Sequence, residues 1–399
     1  KQQGGSRRME EWKILKLNEL AAKSGCADLI DLEFFEATKP EKEIRRFQRM
    51  GVRVIASHHD FDETPDDRIL RMLMEQMQQG GADVAKLAVM PKNADDRRFM
   101  AMPAYIGGCF DLMGMKWYGS NMENRMLGLP RSILMVMLND KNTGAPLCLM
   151  SANLLSAMRT GAIPGVGTMY LVNKGAKVCG ICGPGVMGKT SLAAFVATCP
   201  DLEVLKVKGR GKASLDKFIA HAKEKYPQFK EIRAVDTVEE LVRDTDVISF
   251  ANTSGTDPST YPYVKGEWIK KGAVLVGVSA FDIDDDFLSN ECKLVVDNMQ
   301  LYEAWAEEFP YPSFGANNII GSKFTDLIHD GKIKKEDIYD LGDIIHGDRP
   351  GREYEDQIIV YSVGGMPVED VAWGKICYEK AKELGLGVKL HLWDQPDLY

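Results

Sequence analysis

Eight residues, GPGVMGKT from Gly183 to Thr190, carry the spacing of two different phosphate sites. Taken as Gly183-x-Gly185-x-x-Gly188 they match a dinucleotide-binding turn. Taken as Gly183-x4-Gly188-Lys189-Thr190 they match the loop that holds a nucleoside triphosphate in P-loop enzymes. Both sites need a strand, a glycine-rich turn and a helix N-terminus whose free N–H groups and dipole attract phosphate. They differ in what must follow. A P-loop needs its lysine on the terminal phosphates and a separate strand ending in a magnesium-linked Asp; the apolar run KLVVD, ending at Asp297, is a weak match. A dinucleotide turn needs the next strand to end in a group that reads the ribose. That strand, LEVLKV, runs into Lys208-Gly209-Arg210. Two cations suit a 2′-phosphate, and no acid is present for a 2′-hydroxyl, so the expected cofactor is NADP rather than NAD. The other reading of Lys208 and Arg210 is a pair of solvated loop charges. On this context the dinucleotide reading is preferred to the P-loop.

The elements around the turn support that preference. From Ala176 a strand AKVCGIC is followed by the turn, a helix TSLAAFVA, the strand LEVLKV, a helix SLDKFIAHAKEKY, and the apolar runs DVISFAN and AVLVGVS. Such a β/α alternation predicts a parallel sheet. The same rhythm runs from Trp12 to Pro91, through ADLIDLEFF, GVRVIASHHDF and ADVAKLAVMP. The polar segment KNADDRR, residues 92 to 98, interrupts it. From Phe99 to about Pro164 the texture becomes Gly- and Met-rich strands followed by a small-residue helix, SANLLSAMRTGA. Beyond Leu301 the chain is irregular until the helix VEDVAWGKICYEKAKELG. The fold class expected is therefore α/β in three parts, with no internal repeat.

The totals bound what these parts can do. A chain of 399 residues, 45% hydrophobic and 27% charged, can bury large cores in two or three domains. A net charge of −8 without a long Lys/Arg block argues against a nucleic-acid or anionic-membrane surface. No segment reaches the length of a membrane span. The eight cysteines lack the spacing of a disulfide scaffold, which fits a reducing, cytoplasmic compartment. The CxxC pair, Cys179 and Cys182, lies in a strand, where side chains three apart face opposite ways; a structural role is expected and no metal site. The chain opens with Lys-Gln-Gln-Gly-Gly, without Met or a signal pattern, as a piece starting mid-domain would.

Five segments together extend the reading: MPAYIGG, MKWYGSNMENRMLGLPRSILMVMLND, TGAPLCLMSANLLSAMRTGAIPGVG, GPGVMG and YSVGGMPVEDVAWGKICYEKA. Over about residues 97 to 392 they resemble the ornithine cyclodeaminase and mu-crystallin family. The resemblance implies a Rossmann domain over 170–319 and a substrate and dimerisation domain built from 97–165 and 320–392. It also implies a nicotinamide cofactor acting on amino acids, imines or related small molecules, and a homodimer. By the same resemblance Lys116, in MKWYGSN, lies beside the substrate, and Arg159, in AMRTGA, grips a substrate carboxylate. A guanidinium suits a carboxylate, and a lysine beside a hydride-accepting carbon can polarise a carbonyl or imine or act as an acid. The alternatives are an arginine capping helix carbonyls and a strand lysine reaching solvent. Where cyclodeaminases carry an Asp after the AVLVGV-type strand, this chain has Ser279, with Asp282 three residues on as the candidate acid. Their acid before Met-Pro is Met100 here. Without those carboxylates the expected reaction is NADP-dependent oxidation or reduction of an amino, imino or keto acid, not ornithine cyclisation. A non-catalytic holder of NADP and a small ligand is the third reading.

Residues 1 to 92 resemble something else. QQGG, DLIDLEFF, VIASHHDFDETP and MQQGGADVAKLAVMP are similar to the middle of a type I 3-dehydroquinase, a (β/α)8 barrel. That resemblance makes His59 a proton shuttle and Lys86 the lysine that forms a Schiff base with a ketone, and it supports a second reading, a Schiff-base lyase. An imine acidifies the adjacent C–H, and an imidazole of near-neutral pKa moves the protons. The alternatives are a strand-end histidine satisfied by the Asp60 loop and a snorkelling lysine. Gln3 stands where the family has Glu. A barrel needs eight strands, so residues 1–92 are expected to form a partial module. Fusions of dehydroquinase with shikimate dehydrogenase exist, but the second half lacks shikimate-binding motifs.

Overall fold

The computed structural model describes residues 9–60, 65–89, 97–255, 257–309 and 311–392. Gln3 and residues 92–96 of the polar segment KNADDRR lie outside them. The chain divides into two compact units between Arg97 and Arg98.

The first unit is three β/α steps. Helix α1 (Glu11–Lys23) precedes β1 (Leu29–Glu33), α2 (Pro40–Gln48) precedes β2 (Arg53–Asp60), and α3 (Asp67–Gln79) precedes β3 (Val84–Val89). The strands form a parallel sheet in the order β1-β2-β3. Its core is small: Ile30, Leu32, Val54 and Ala56 from the strands meet Ala22, Ile44, Phe47 and Met77 from the helices. Asp66 caps α3 by accepting the N–H groups of Arg68 and Ile69. Three parallel strands are the partial barrel module expected.

The second unit opens with four strands, β4 (Arg97–Ile106), β5 (Leu112–Asn121), β6 (Ser132–Asn139) and β7 (Pro146–Ser151), in one sheet of that order. β5, β6 and β7 pair antiparallel. The long helix α4 (Asn153–Leu171) leads from them into the β/α series. That series begins with β8 (Val178–Cys182), α5 (Val186–Thr198), β9 (Val204–Lys208), α6 (Lys212–Lys225), β10 (Glu231–Ala234), α7 (Val238–Val242) and β11 (Val247–Phe250). It continues through the short strand β12 (Tyr263–Val264), β13 (Val274–Gly277), β14 (Asp282–Ile283), α8 (Asp285–Glu291), β15 (Cys292–Val296) and α9 (Met299–Glu308). Then come α10 (Ser313–Asn317), α11 (Ile320–His329), β16 (Ile338–Asp340), α12 (Leu341–His346), β17 (Ile358–Ser362) and α13 (Pro367–Glu383).

Eight of these strands make one sheet in the order β10-β9-β8-β11-β13-β17-β15-β16, with parallel pairing throughout. Its first five strands have the order 3-2-1-4-5 of a Rossmann sheet. Both faces are covered, so the central strands are apolar without alternation: every residue of β11 and β13 is buried. Cys179 enters the core on one side of β8 and Cys182 the core on the other, as the strand period requires. The sheet is not confined to residues 170–319. β16 and β17 lie beyond that limit, and β17 is inserted between β13 and β15. The run IIVYSV is apolar on both sides, and only an interior strand position buries it.

α4 lies on α5 through small residues. A Cβ on Gly161 would come within 2.3 Å of Thr190, and one on Gly165 within 2.6 Å of Ala194. Each pair repeats at i, i+4, so the two backbones approach along a line. α13 returns to the four-stranded sheet in the same way: a Cβ on Gly114 of β5 would lie 2.9 Å from Val371. α13 packs over β5 and β6, and α4 lies beside it against β6. Among the described residues no helix is long and apolar enough to cross a membrane.

Candidate active site

Alternation along β5 buries Leu112, Gly114 and Lys116 on one face. The Lys116 ammonium, on a residue only 4% exposed, donates to Ser156 Oγ at 2.7 Å and to Asp370 Oδ2 at 3.2 Å. Arg159 lies three residues beyond Ser156 on α4 and faces the same way. Its Nη2 is 2.9 Å from Asp370 Oδ2, and its Nη1 donates to Glu369 Oε2 at 2.8 Å. Glu369 and Asp370 occupy the first turn of α13, where the helix dipole favours acids. Two cations from β5 and α4 thus meet two carboxylates from α13 in a nearly dry cluster. Arg159 Nε and Asp370 Oδ1 are buried without a hydrogen-bond partner among the described residues.

The turn before α13 is shaped by the same arginine. Gly365 has φ of +74°, and a Cβ there would lie 2.5 Å from Arg159 Nη1, so only glycine fits on both counts. The N–H groups of Gly364 and Gly365 donate to Asp297 Oδ2 at 2.8 and 2.7 Å. Tyr302 donates its hydroxyl to Asp297 Oδ1. Asp297 therefore pins the turn that delivers Glu369.

Burial governs the acidities here. It lowers Lys116, helped by the charge of Arg159 and opposed by Asp370. It pushes Glu369 up to about 7, with Arg159 pulling down and Asp297 pushing up. It raises Asp297 against the N–H groups it accepts. A lysine below its ordinary range can donate a hydrogen bond or a proton to a carbonyl or imine oxygen or nitrogen, and a guanidinium can seat a carboxylate.

A second feature lies at the β8–α5 turn. Gly183 has φ of +103°, and a Cβ there would meet Ala251 O at 2.5 Å; one on Gly188 would meet Gly183 O at 2.2 Å. Gly185, the N-cap of α5, faces open space. The outer glycines make the tight turn and the close helix, while the middle one leaves room for a pyrophosphate at the helix N-terminus. Lys208 donates to Asp236 O and Arg210 to Thr253 O, both at the rim. Asn252, Ser254 and Ser279 form a polar string after β11 and β13. Against the P-loop reading, Thr190 Oγ1 bonds the carbonyls of Val186 and Met187 in its own helix. Asp297, the strand-end acid that reading needs, is sealed beneath Gly364 and Gly365.

Of the residues expected from sequence, the structure brings Lys116 and Arg159 together and groups Gly183, Gly185, Gly188, Lys208 and Arg210 around one turn. It does not bring Asp282 into the Lys116 cluster. That carboxylate is paired with Lys323 of α11 and accepts the Ile283 N–H, because β14 is pinned against β12. Ser156, Glu369 and Asp370 were not expected, and Asp297 was offered only as a weak P-loop acid. The acids of VEDVAW read locally as helix-start residues, and nothing in their spacing points to a lysine some 250 positions upstream.

In the first unit the strand period gathers another set. Asp31 and Glu33 of β1, Ser57 and His59 of β2, and Lys86 of β3 share a face. Lys86 Nζ is 3.3 Å from His59 Nε2 and 3.5 Å from Asp31 Oδ2. His59 Nδ1 is 2.6 Å from Glu33 Oε1, a partner the sequence did not suggest. Among the described residues no group of three or more His, Cys, Asp and Glu could hold a metal ion.

The family model of the ornithine cyclodeaminase/mu-crystallin family matches residues 64–385. The chain belongs to that family. A relative from Staphylococcus aureus, N-((2S)-2-amino-2-carboxyethyl)-L-glutamate dehydrogenase, is 29% identical over 298 residues, 74% of this chain and 82% of its own. The solved structure of Thermococcus litoralis Δ1-pyrroline-2-carboxylate reductase, in complex with NADH and L-proline, is 29% identical. It has a TM-score of 0.61 and covers 74% of this chain and 88% of that one. An archaeal alanine dehydrogenase dimer with bound NAD is 25% identical, with a TM-score of 0.60 over 75% and 86% of the two chains. Residues 1–101 match the type I 3-dehydroquinase model.

Proposed function

We propose that the second unit is a nicotinamide-dependent oxidoreductase acting on a small amino, imino or keto acid. The observation that carries the reading is the buried pair of Lys116 and Arg159, one group for the reacting carbonyl or imine and one for the carboxylate. The β8–α5 turn would hold the pyrophosphate, and the bound nicotinamide supplies or accepts the hydride. Lys116 then stabilises charge or transfers a proton at the carbon–oxygen or carbon–nitrogen bond, while Arg159 fixes the acid end and so the face presented. The pyrroline-2-carboxylate reductase and alanine dehydrogenase likenesses support this substrate class.

Lys208 and Arg210 favour NADP over NAD: both reach the rim where a 2′-phosphate would lie, and each donates there to a backbone carbonyl. The chain is read as a homodimer, supported by the apolar outer face of the four-stranded sheet. Met113, Trp117, Ile133, Leu147 and Leu149 lie on it, with Leu149 62% exposed. Eight free cysteines fit the cytoplasm. The test is NADPH consumption with pyruvate plus ammonia and with cyclic imino acids. Turnover lost in Lys116→Met supports the reading; none with any such substrate rejects it.

The first unit supports a second reading, a Schiff-base site on a carbonyl compound, because His59 touches Lys86 through one ring nitrogen and Glu33 through the other. Borohydride trapping of a ketone on Lys86 tests it.

A further inference from the structure

We propose that Glu369 holds Arg159 in the ligand-free protein and releases it to an incoming carboxylate by taking up a proton from solvent. Ligand binding and protonation of Glu369 are then one event. The inference rests on the reading of Arg159 as the carboxylate-binding residue.

Two of the guanidinium's nitrogens are engaged with carboxylates, Nη1 with Glu369 and Nη2 with Asp370. A ligand carboxylate gripped through Nη1 competes with Glu369 for that nitrogen, and one gripped through Nη2 competes with Asp370. Asp370 is not the one displaced, because it is completely buried and also holds Lys116. Glu369 is bound to Arg159 through one oxygen, and its side chain is 21% exposed, so it has somewhere to go. Arg159 Nε, buried and without a partner among the described residues, is a further donor awaiting an acceptor.

Charge balance supplies the proton. Two cations face Glu369 and Asp370, with Asp297 close by, so an added carboxylate brings excess negative charge into a nearly dry cluster, which is costly. The groups facing Glu369 are Arg159 from α4, Lys116 from β5, Asp297 after β15 and Tyr361 from β17, with Asp370 beside it on α13. Of the acids, Glu369 is the one that combines a titration near neutrality with access to solvent. In the exchange, the Nη1 bond to Glu369 Oε2 breaks, a bond to the ligand oxygen forms, and Glu369 gains one solvent proton. Below its pKa Glu369 is already protonated and affinity is flat. Above it, affinity falls with pH.

The test is calorimetric titration of the full chain, saturated with NADP⁺ and in parallel with NAD⁺, by pyruvate, whose one acid is ionised throughout. Measured in two buffers of different ionisation enthalpy at about pH 8, binding should take up close to one proton. Kd should rise toward about tenfold per pH unit above neutrality and be flat below about pH 6. Glu369→Gln should abolish the uptake and flatten the profile, while Arg159→Lys should weaken binding by at least about tenfold at every pH. If Glu369→Gln does not fold, a protonated carboxyl band in the wild-type infrared difference spectrum must appear on binding. Arg159-dependent binding without proton uptake, or a slope that survives in Glu369→Gln, overturns the proposal and leaves the carboxylate reading standing. No binding of pyruvate, L-alanine or L-proline overturns both.

Discussion

Lys116 and Arg159 share one acid, Asp370, and that sharing sets what substitutions do. Removing Lys116 leaves Asp370 with the arginine, so Lys116→Met is expected to fold. Its kcat should fall by about 10²-fold or more, the usual contribution of a placed proton donor, measured by steady-state NADPH oxidation. Because burial holds Lys116 below the ordinary lysine range, the alkaline limb of the wild-type kcat profile should lie lower than a free lysine would put it. At the rim of the cofactor turn, Arg210→Ala should remove most of a preference for NADPH over NADH. Fluorescence titration reads this directly, and equal affinities in the wild type would reject the 2′-phosphate assignment. Lys116 and Arg159 were legible in the sequence through the motifs around them. Their acidic partners were not, because Glu369 and Asp370 start a helix and local sequence accounts for them fully.

Packing between helices decides whether the two halves of the cluster meet. α4 must lie against α5 closely enough for Gly161 to contact Thr190, and the glycine turn must leave Gly185 open. Gly161→Ala puts a methyl where no space exists, and overpacking of this kind costs about 1–3 kcal/mol. That exceeds the ~1 kcal/mol that alanine gains over glycine in a helix. Gly342→Ala, in α12 with nothing near the added methyl, should be neutral or stabilising by under about 1 kcal/mol. Urea midpoints of the two variants make the comparison. Lys189 acts on His221 of α6, after burial, in lowering that imidazole. Lys189→Ala should therefore leave NADPH affinity within a few fold, under about 1 kcal/mol, and a magnesium-dependent ATPase lost in this variant would restore the P-loop reading.

For the molecule as a whole, the outer face of the four-stranded sheet exposes a group of large apolar side chains. Met115 pairs with Met137, Trp117 with Met135, and Met137 with Leu149, forming a continuous row. If that face is the seam of the proposed homodimer, Leu149→Asp should yield folded monomers where the wild type sediments as a dimer in sedimentation velocity. The three-stranded first unit predicts the opposite kind of result. Lys86, His59 and Glu33 are assembled, but three strands of an eight-stranded barrel leave the substrate unoriented, and misplacement of about 1 Å can cost on the order of 10²-fold. Dehydration of 3-dehydroquinate, followed by the ultraviolet absorbance of the enone, should be absent or very slow. Robust turnover abolished by Lys86→Ala would show a complete site.

The sequence alone determined what depends on neighbours along the chain. Strand and helix periods gave two β/α series. The glycine spacing gave the turn at Gly183, and the motifs around Lys116 and Arg159 marked both residues. It also gave the opposite facing of Cys179 and Cys182, since a strand's period is local. Tertiary structure decided everything that needed distant segments to meet. β17 joined the middle of the sheet because only there are both of its apolar faces covered. Asp297, which local pattern offered as a metal-linked acid, became the anchor of Gly364 and Gly365. Asp282 was drawn away by Lys323, and Glu369 and Asp370 were carried to Lys116 and Arg159 by a helix that packs where Gly114 admits it. Such contacts arise from close packing between segments remote in sequence, and no local period encodes them.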